Sequence, residues 1–192
     1  METENLIHCE KNTHGGSIYV YVQPVRAEDS PVLLQELVLP ESADDVGKIV
    51  TDGNFIVASL INHGTDANEG PGAVIVYKKR NNGLFSYLQT IESSIENMVI
   101  SIPENLDFGI DMELTDDNLI ITNERTLSSM DAHSYIAIYE YGEFYWELVQ
   151  EIYNDSKLNT YSLDPMMNTS IYGGADSLAA DNNNLIFKSY AT

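Results

Sequence analysis

The chain has 192 residues, of which 9 are Lys or Arg and 30 are Asp or Glu, so its formal net charge is −21 at pH 7. Such a surface repels phosphate, which excludes nucleic acid as a partner and disfavours docking on an anionic membrane. No apolar run approaches the ~20 residues that a membrane-spanning helix needs. The hydrophobic fraction of 43% is too high for a disordered acidic tail. The single cysteine, Cys9, excludes an internal disulfide and a cysteine-based metal cluster.

Two short apolar patterns recur along the chain and predict strands. The first begins with Asn followed by apolar residues, and it starts at Asn5, Asn54, Asn118 and Asn184. In three cases it follows a turn-forming pair such as Asp52-Gly53. The second pattern is a β-branched and aromatic run that ends at Tyr21, Tyr77 or Tyr139. Such composition suits a largely buried strand.

A third pattern carries a glutamine between apolar residues, at Gln35, Gln89 and Gln150. Strict alternation would place Leu33, Gln35 and Leu37 on one face of a half-exposed strand. A fourth pattern contains glycine and precedes the Asn pattern, as in Val46-Gly47 and Phe108-Gly109. Glycine in a strand is typical of a place where a neighbouring backbone or bulky side chain comes close.

The four patterns recur in phase, with a period of about 50–65 residues, which is typical of four-stranded antiparallel repeats. We therefore predict an all-β fold, an incomplete β-propeller of about three blade equivalents. A β-sandwich is the alternative, but sandwich strands need not repeat in phase. The predicted segments are a partial blade at 5–39, a blade at 46–91, a linker at 92–107, a blade at 108–152, a linker at 153–173 and a partial blade at 174–190.

The order of these patterns resembles the FG-GAP repeat, the blade of integrin-α-type propellers. The motifs that match in order include Phe108-Gly109, Asp52-Gly53-Asn54, the run from Gly72 to Tyr77 and the segment from Trp146 to Gln150. The similarity spans most of the chain, from about Asn5 to Ser189. It implies a rigid propeller scaffold that takes part in adhesion, in an extracellular or virion-surface setting. The acidic start Met1-Glu2-Thr3-Glu4 is unlike a secretory signal, which is basic.

The blade phase predicts open edges, because the strand patterns leave the first and last blades incomplete. Unpaired strand edges are hydrogen-bonding surfaces that proteins rarely leave bare. We therefore expect other strands to complete the ring, supplied by another protein chain, by further copies, or by the remainder of a longer polypeptide.

The best metal candidate in the sequence is the loop that contains Asp66, Asn68 and Glu69, followed by Gly70. These side chains offer oxygen ligands, and Ca²⁺ takes 6–8 oxygens. Three side chains fall short of that number, so the interpretation that the loop is simply solvated is favoured. No cofactor is predicted, and calcium is the alternative.

The densest aromatic group lies in one predicted hairpin, and Tyr141, Phe144, Tyr145 and Trp146 are its candidate interaction residues. Exposed aromatic side chains of this kind anchor proteins or sugars. Buried, they would be packing residues of an outer strand.

The sequence indicates no catalytic residues. The histidines are scattered, no Ser lies in a Gly-x-Ser-x-Gly pattern, and acidic pairs such as Glu140 with Glu143 arise by chance among 30 acids. The prediction is therefore a non-catalytic structural or recognition module for protein assembly or surface binding. A calcium-dependent adhesion propeller and a carbohydrate-active enzyme on a propeller are the alternatives.

Overall fold

The computed structural model describes residues 5–12, 15–22, 30–39, 45–61, 72–93, 106–125, 133–154, 175–180 and 185–189. Within these ranges every regular element is a strand, which confirms the predicted all-β class. The strands are β1 (Asn5–Asn12), β2 (Gly15–Val22), β3 (Val32–Val38), β4 (Asp45–Thr51), β5 (Phe55–Ile61), β6 (Ala73–Lys79), β7 (Phe85–Glu92), β8 (Leu106–Leu114), β9 (Asn118–Arg125), β10 (His133–Tyr141), β11 (Trp146–Asn154), β12 (Ala175–Ala180) and β13 (Leu185–Ser189). The described part of the chain holds no helix long and apolar enough to span a membrane.

The strands form four antiparallel sheets in chain order. Sheet 1 contains β1–β3, sheet 2 contains β4–β7, sheet 3 contains β8–β11 and sheet 4 contains β12 and β13. In every sheet each strand pairs with its neighbour in sequence, so each sheet is a meander. The two predicted linkers fall largely outside the described residues.

Consecutive sheets stack face to face. Strand β4 contacts β1 and β2, β8 contacts β4, β5 and β6, and β12 contacts β8 and β9. Two apolar clusters fill the first two of these contacts. Alternation along β5 sends Phe55 and Val57 towards sheet 3 and Ile56, Ala58 and Leu60 towards sheet 1. Sheet 2 is therefore apolar on both faces, which accounts for its nearly continuous run of buried residues.

We call the last strand of sheets 1, 2 and 3 (β3, β7 and β11) the outer strand of its sheet, and the first strand (β1, β4 and β8) the inner strand. Each outer strand carries a β-bulge at an equivalent position. Val20 pairs with Gln35 and Tyr21 with Leu33, so Leu34 is the extra residue. The same shift falls between Val76 and Tyr77 in sheet 2 and between Ile138 and Tyr139 in sheet 3. The prediction that Leu33 shares a face with Gln35 and Leu37 is wrong, because the bulge reverses the alternation between them.

The Asn pattern is also corrected by the strand register. Leu6, Ile56 and Leu119 pair with Tyr21, Tyr77 and Tyr139, so Phe55 occupies the position that Asn5 and Asn118 hold in their sheets. Asn54 belongs instead to the turn. There the Asp52 carboxylate accepts hydrogen bonds from the backbone N–H of Asn54 at 2.8 Å and of Phe55 at 2.7 Å.

Candidate interaction surface on sheets 2 and 3

A repeated glutamine clasp joins the outer strands of neighbouring sheets. The Gln35 side chain donates to the Phe85 carbonyl at 2.7 Å and accepts from the Phe85 N–H at 2.8 Å. One sheet further on, Gln89 donates to the Trp146 carbonyl at 3.1 Å and accepts from the Trp146 N–H at 2.8 Å. Phe85 and Trp146 are the first residues of β7 and β11. Each glutamine therefore satisfies both backbone groups of the residue that starts the next outer strand.

Gln150 occupies the same register position as these two glutamines, because it pairs with Ile138 just as Gln89 pairs with Val76. Its side chain is exposed, whereas those of Gln35 and Gln89 are half-buried. The sequence singled out all three glutamines by their spacing. It did not indicate the role of Gln35 and Gln89, because their partner groups belong to the backbone of a strand fifty or more residues away.

An aromatic cluster lies beneath the turn between β10 and β11. The ring centroids of Phe55 and Tyr141 are 4.9 Å apart, and those of Phe55 and Trp146 are 5.2 Å apart. Tyr141 and Trp146 meet edge to face at 5.4 Å. Lys78 donates to the Tyr141 hydroxyl at 2.7 Å, and its ammonium lies 4.5 Å from the centroid of the Tyr141 ring. This cluster couples the end of β6 in sheet 2 to the end of β10 in sheet 3.

The four predicted aromatic interaction residues divide into two groups. Tyr141 is half-buried and Trp146 is buried, with an indole N–H that has no hydrogen-bond partner among the described residues. Phe144 and Tyr145 are 57% and 53% exposed, with ring centroids 6.1 Å apart. The turn that presents them is closed by a hydrogen bond from the Gly142 N–H to the Tyr145 carbonyl at 2.9 Å. Tyr141 and Trp146 hold the turn, and Phe144 and Tyr145 face solvent.

A cationic turn lies beside this aromatic turn. Lys78, Lys79 and Arg80 are consecutive, and with Asn81 and Asn82 they line a shallow depression of about 500 Å³. The three cations are one third of the 9 basic residues in the chain. At the corresponding place in sheet 3, exposed Glu143 lies in the turn, and exposed Glu140 and Glu147 lie on the strands beside it. The basic run is visible in so acidic a chain, but the sequence patterns did not indicate it as a candidate site.

The inner strands of sheets 2 and 3 are joined by an ion pair between the Lys48 ammonium and the Asp111 carboxylate. The side chain of Asp111 is 11% exposed, and its carboxylate also accepts the Met112 N–H at 2.9 Å. Thr122 brackets the same residue, since its hydroxyl accepts the Asp111 N–H and donates to the Asp111 carbonyl, both at 3.1 Å. These contacts satisfy a buried carboxylate and leave it a structural role.

Exposed apolar side chains concentrate on the outer strands. Among the described residues, all the exposed large apolar side chains except Ile110 lie on β3, β7, β11 or the turns that lead into β7 and β11. They are Val32, Leu33, Leu34, Val38, Leu84, Tyr87, Phe144, Tyr145, Leu148 and Val149. Groups of exposed apolar side chains are typical of surfaces that contact other molecules.

The predicted metal ligands Asp66, Asn68 and Glu69 lie outside the described residues. Within the described ranges, no three His, Cys, Asp or Glu side chains gather into a group that could hold a metal ion. Calcium binding therefore stays a prediction. Comparison of the chain with protein-family models, with curated proteins and with solved structures finds no match.

Proposed function

We propose that this chain is a non-catalytic structural or recognition module, a propeller-type scaffold whose outer strands mediate protein–protein assembly. The observation that carries the proposal is the placement of ten large exposed apolar side chains on or beside the three outer strands. Outer strands are where a radial arrangement of sheets meets its surroundings. Apolar side chains and strand edges at that place suit binding to protein.

The propeller arrangement is supported by the way the sheets follow one another. Each sheet is a meander, consecutive sheets stack face to face, and the same clasp recurs at the two successive interfaces where Gln35 and Gln89 lie. A Greek-key sandwich would instead exchange strands between two sheets. These features agree with the resemblance to the FG-GAP repeat, which implies a surface setting.

The proposal requires that the exposed side chains of the outer strands be dispensable for folding. Val38 and Leu37 are adjacent in β3 and offer a matched pair, because Val38 is 74% exposed and Leu37 is 4% exposed. We expect Val38→Thr to change the free energy of unfolding by less than about 0.5 kcal/mol. Leu37→Ala should lower it by about 2–4 kcal/mol, since it opens a cavity in a packed cluster.

Urea unfolding followed through the fluorescence of the single tryptophan, Trp146, measures both variants. A loss of more than about 1.5 kcal/mol in Val38→Thr would show that the fold itself uses the outer apolar side chains, and it would remove the basis of the proposed function. A stable Val38→Thr, Leu148→Thr double variant should also associate less with protein partners than the parent chain.

A further inference from the structure

The cationic turn and the acidic turn are neighbours on one rim of the molecule. Lys78 at the end of β6 bonds to Tyr141 at the end of β10, so the two turns that follow these strands lie side by side. Three consecutive cations lead into one turn, with Arg80 exposed and Lys78 and Lys79 half-buried, and three exposed glutamates lie in or beside the other turn. We call the surface formed by residues 78–82 and 140–147 the two-turn rim.

The two-turn rim also contains an apolar element. Phe144 and Tyr145 are adjacent and more than half exposed, and they lie in the acidic turn next to the cationic depression. Exposed aromatic side chains are strong anchors when a partner covers them. A partner for this rim must therefore offer negative charge to one turn, positive charge to the other, and an apolar contact between them.

A second copy of the same chain meets all three requirements. When two copies face each other across a two-fold axis, every contact occurs twice, because residue i of each copy meets residue j of the other. Two adjacent patches of opposite charge on one copy can therefore pair with the same two patches on the second copy. The cationic turn of one copy then opposes the acidic turn of the other, twice, around the four aromatic rings. Elsewhere two copies carrying −21 each repel one another, which favours the orientation that brings opposite charges together.

We propose that the chain forms a two-fold homodimer through the two-turn rim. The proposal rests on the proposed function, since it names one partner of the same assembly module. It places Arg80 of one copy opposite the Glu143 region of the other, with Phe144 and Tyr145 buried at the centre.

Sedimentation equilibrium of the full chain tests the dimer. At concentrations up to about 0.1 mM, the parent chain should show a concentration-dependent dimer, which detects a Kd of about 10 μM or tighter. Arg80→Glu and Glu143→Lys should each weaken the dimer tenfold or more. An equimolar mixture of the two variants should recover association, because both contacts in the mixed pair join opposite charges. In one contact Arg80 faces Glu143, as in the parent chain. In the other, the glutamate introduced at position 80 faces the lysine introduced at position 143.

A matched control separates this contact from a general effect of net charge. Glu92→Lys makes the same charge change as Glu143→Lys at an exposed position on β7, at the end of sheet 2 opposite to the two-turn rim. It should leave the dimer intact or tighten it slightly by reducing the repulsion between copies. Phe144→Ser combined with Tyr145→Ser should abolish the dimer without moving the unfolding midpoint.

A parent chain that stays monomeric throughout this concentration range overturns the proposal. So does a dimer that tolerates both charge reversals, or one that Glu92→Lys weakens as much as Glu143→Lys. Association that persists in these rim variants but is lost in the Val38→Thr, Leu148→Thr variant would assign assembly to the outer strands, which refutes the dimer and retains the proposed function.

Discussion

The interface between sheets 1 and 2 resembles the interface between sheets 2 and 3 in its outer half, near the outer strands. The two interfaces differ in their inner halves, near the inner strands. In both, a glutamine clasps the first residue of the next outer strand, and the residue clasped is a buried aromatic, Phe85 or Trp146. In both, a buried tyrosine lies at the bulge, Tyr77 in one and Tyr139 in the other. The outer halves of the two interfaces therefore repeat the same contacts, and these contacts fix the spacing of neighbouring sheets.

The inner half of the second interface contains a close approach of two strands and an ion pair. A Cβ built at Gly109 would lie 2.8 Å from the Ser59 Cβ and 2.9 Å from the Val74 Cγ2. The Lys48–Asp111 ion pair joins the inner strands of the same two sheets. In the first interface the corresponding glycine, Gly47, is exposed. In the second interface, glycine at position 109 permits the close approach of the inner strands, and an ion pair satisfies the buried carboxylate beside it.

Breaking the inner contact should have the largest effect. Gly109→Ala places a methyl group where the side chains of Ser59 and Val74 already lie, and Gly109 has φ 86°, a conformation that other residues adopt at a cost. Overpacking and strain together should lower the free energy of unfolding by about 2–5 kcal/mol. Urea unfolding monitored by Trp146 fluorescence measures the loss.

Gly83→Ala is the control for backbone strain alone. Gly83 has φ 82°, and nothing lies within 4 Å of a Cβ built there. It should cost only about 1 kcal/mol. Equal losses in the two variants would mean that the close approach of the sheets at Gly109 contributes nothing.

Removing the clasps should have an intermediate effect that compares the two outer halves directly. Gln89→Ala and Gln35→Ala each remove two hydrogen bonds and leave a backbone N–H and a carbonyl unpaired, so each should cost about 1–3 kcal/mol. Gln150→Ala at the equivalent exposed position should change the free energy of unfolding by less than about 0.5 kcal/mol. If all three variants behave alike in urea unfolding, the bonds to Phe85 and Trp146 are not what holds the sheets together.

The smallest effect is a pH dependence of the first interface. Burial, together with the neighbouring Tyr87 phenol, raises the pKa of Tyr77 from 10.0 to about 12. Between these pH values the unfolded chain loses the phenolic proton and the folded chain keeps it. Stability is therefore complete below pH 10 and falls as the pH rises towards 12, by about 1–2 kcal/mol once solvent near the hydroxyl is allowed for.

The measurement is the difference in unfolding free energy between the parent chain and Tyr77→Phe across this alkaline range. The variant cannot ionise at this position, and it loses only the 3.4 Å hydrogen bond from the hydroxyl to the Val38 carbonyl. The difference in unfolding free energy between the parent chain and the variant should decrease from pH 10 to pH 12. A difference that stays constant over this range would show that the Tyr77 phenol ionises equally in both states.

The sequence predicted well which segments form strands, but it predicted the register of these strands poorly. The recurring apolar and β-branched runs identified the strands because burial on a pleated surface selects such residues locally. The Asn pattern was aligned one residue off at Asn54, since sequence matching cannot tell a turn residue from the first residue of a strand. Only pairing with Tyr77 and Tyr139 shows that Phe55 and Asn118 are equivalent. The glycine pattern did predict a close approach, and Gly109 confirms it.

In the candidate surface, the sequence showed the aromatic cluster, but it did not show which of its side chains are buried and which are exposed. Trp146 and Phe144 are two residues apart, yet one is 4% exposed and the other 57%. That division depends on Phe55 and Gln89, which come from a different sheet.

By itself the sequence determined the all-β class, the repeated four-strand unit and the strong negative charge, because periodicity, local propensity and composition are properties of neighbouring residues. The tertiary structure decided which faces meet, which glutamines bond to a neighbouring outer strand, and that the run Lys78–Arg80 lies beside the turn of Phe144 and Tyr145. These features join residues fifty or more positions apart, and only the stacking of one sheet on the next brings such residues within bonding distance.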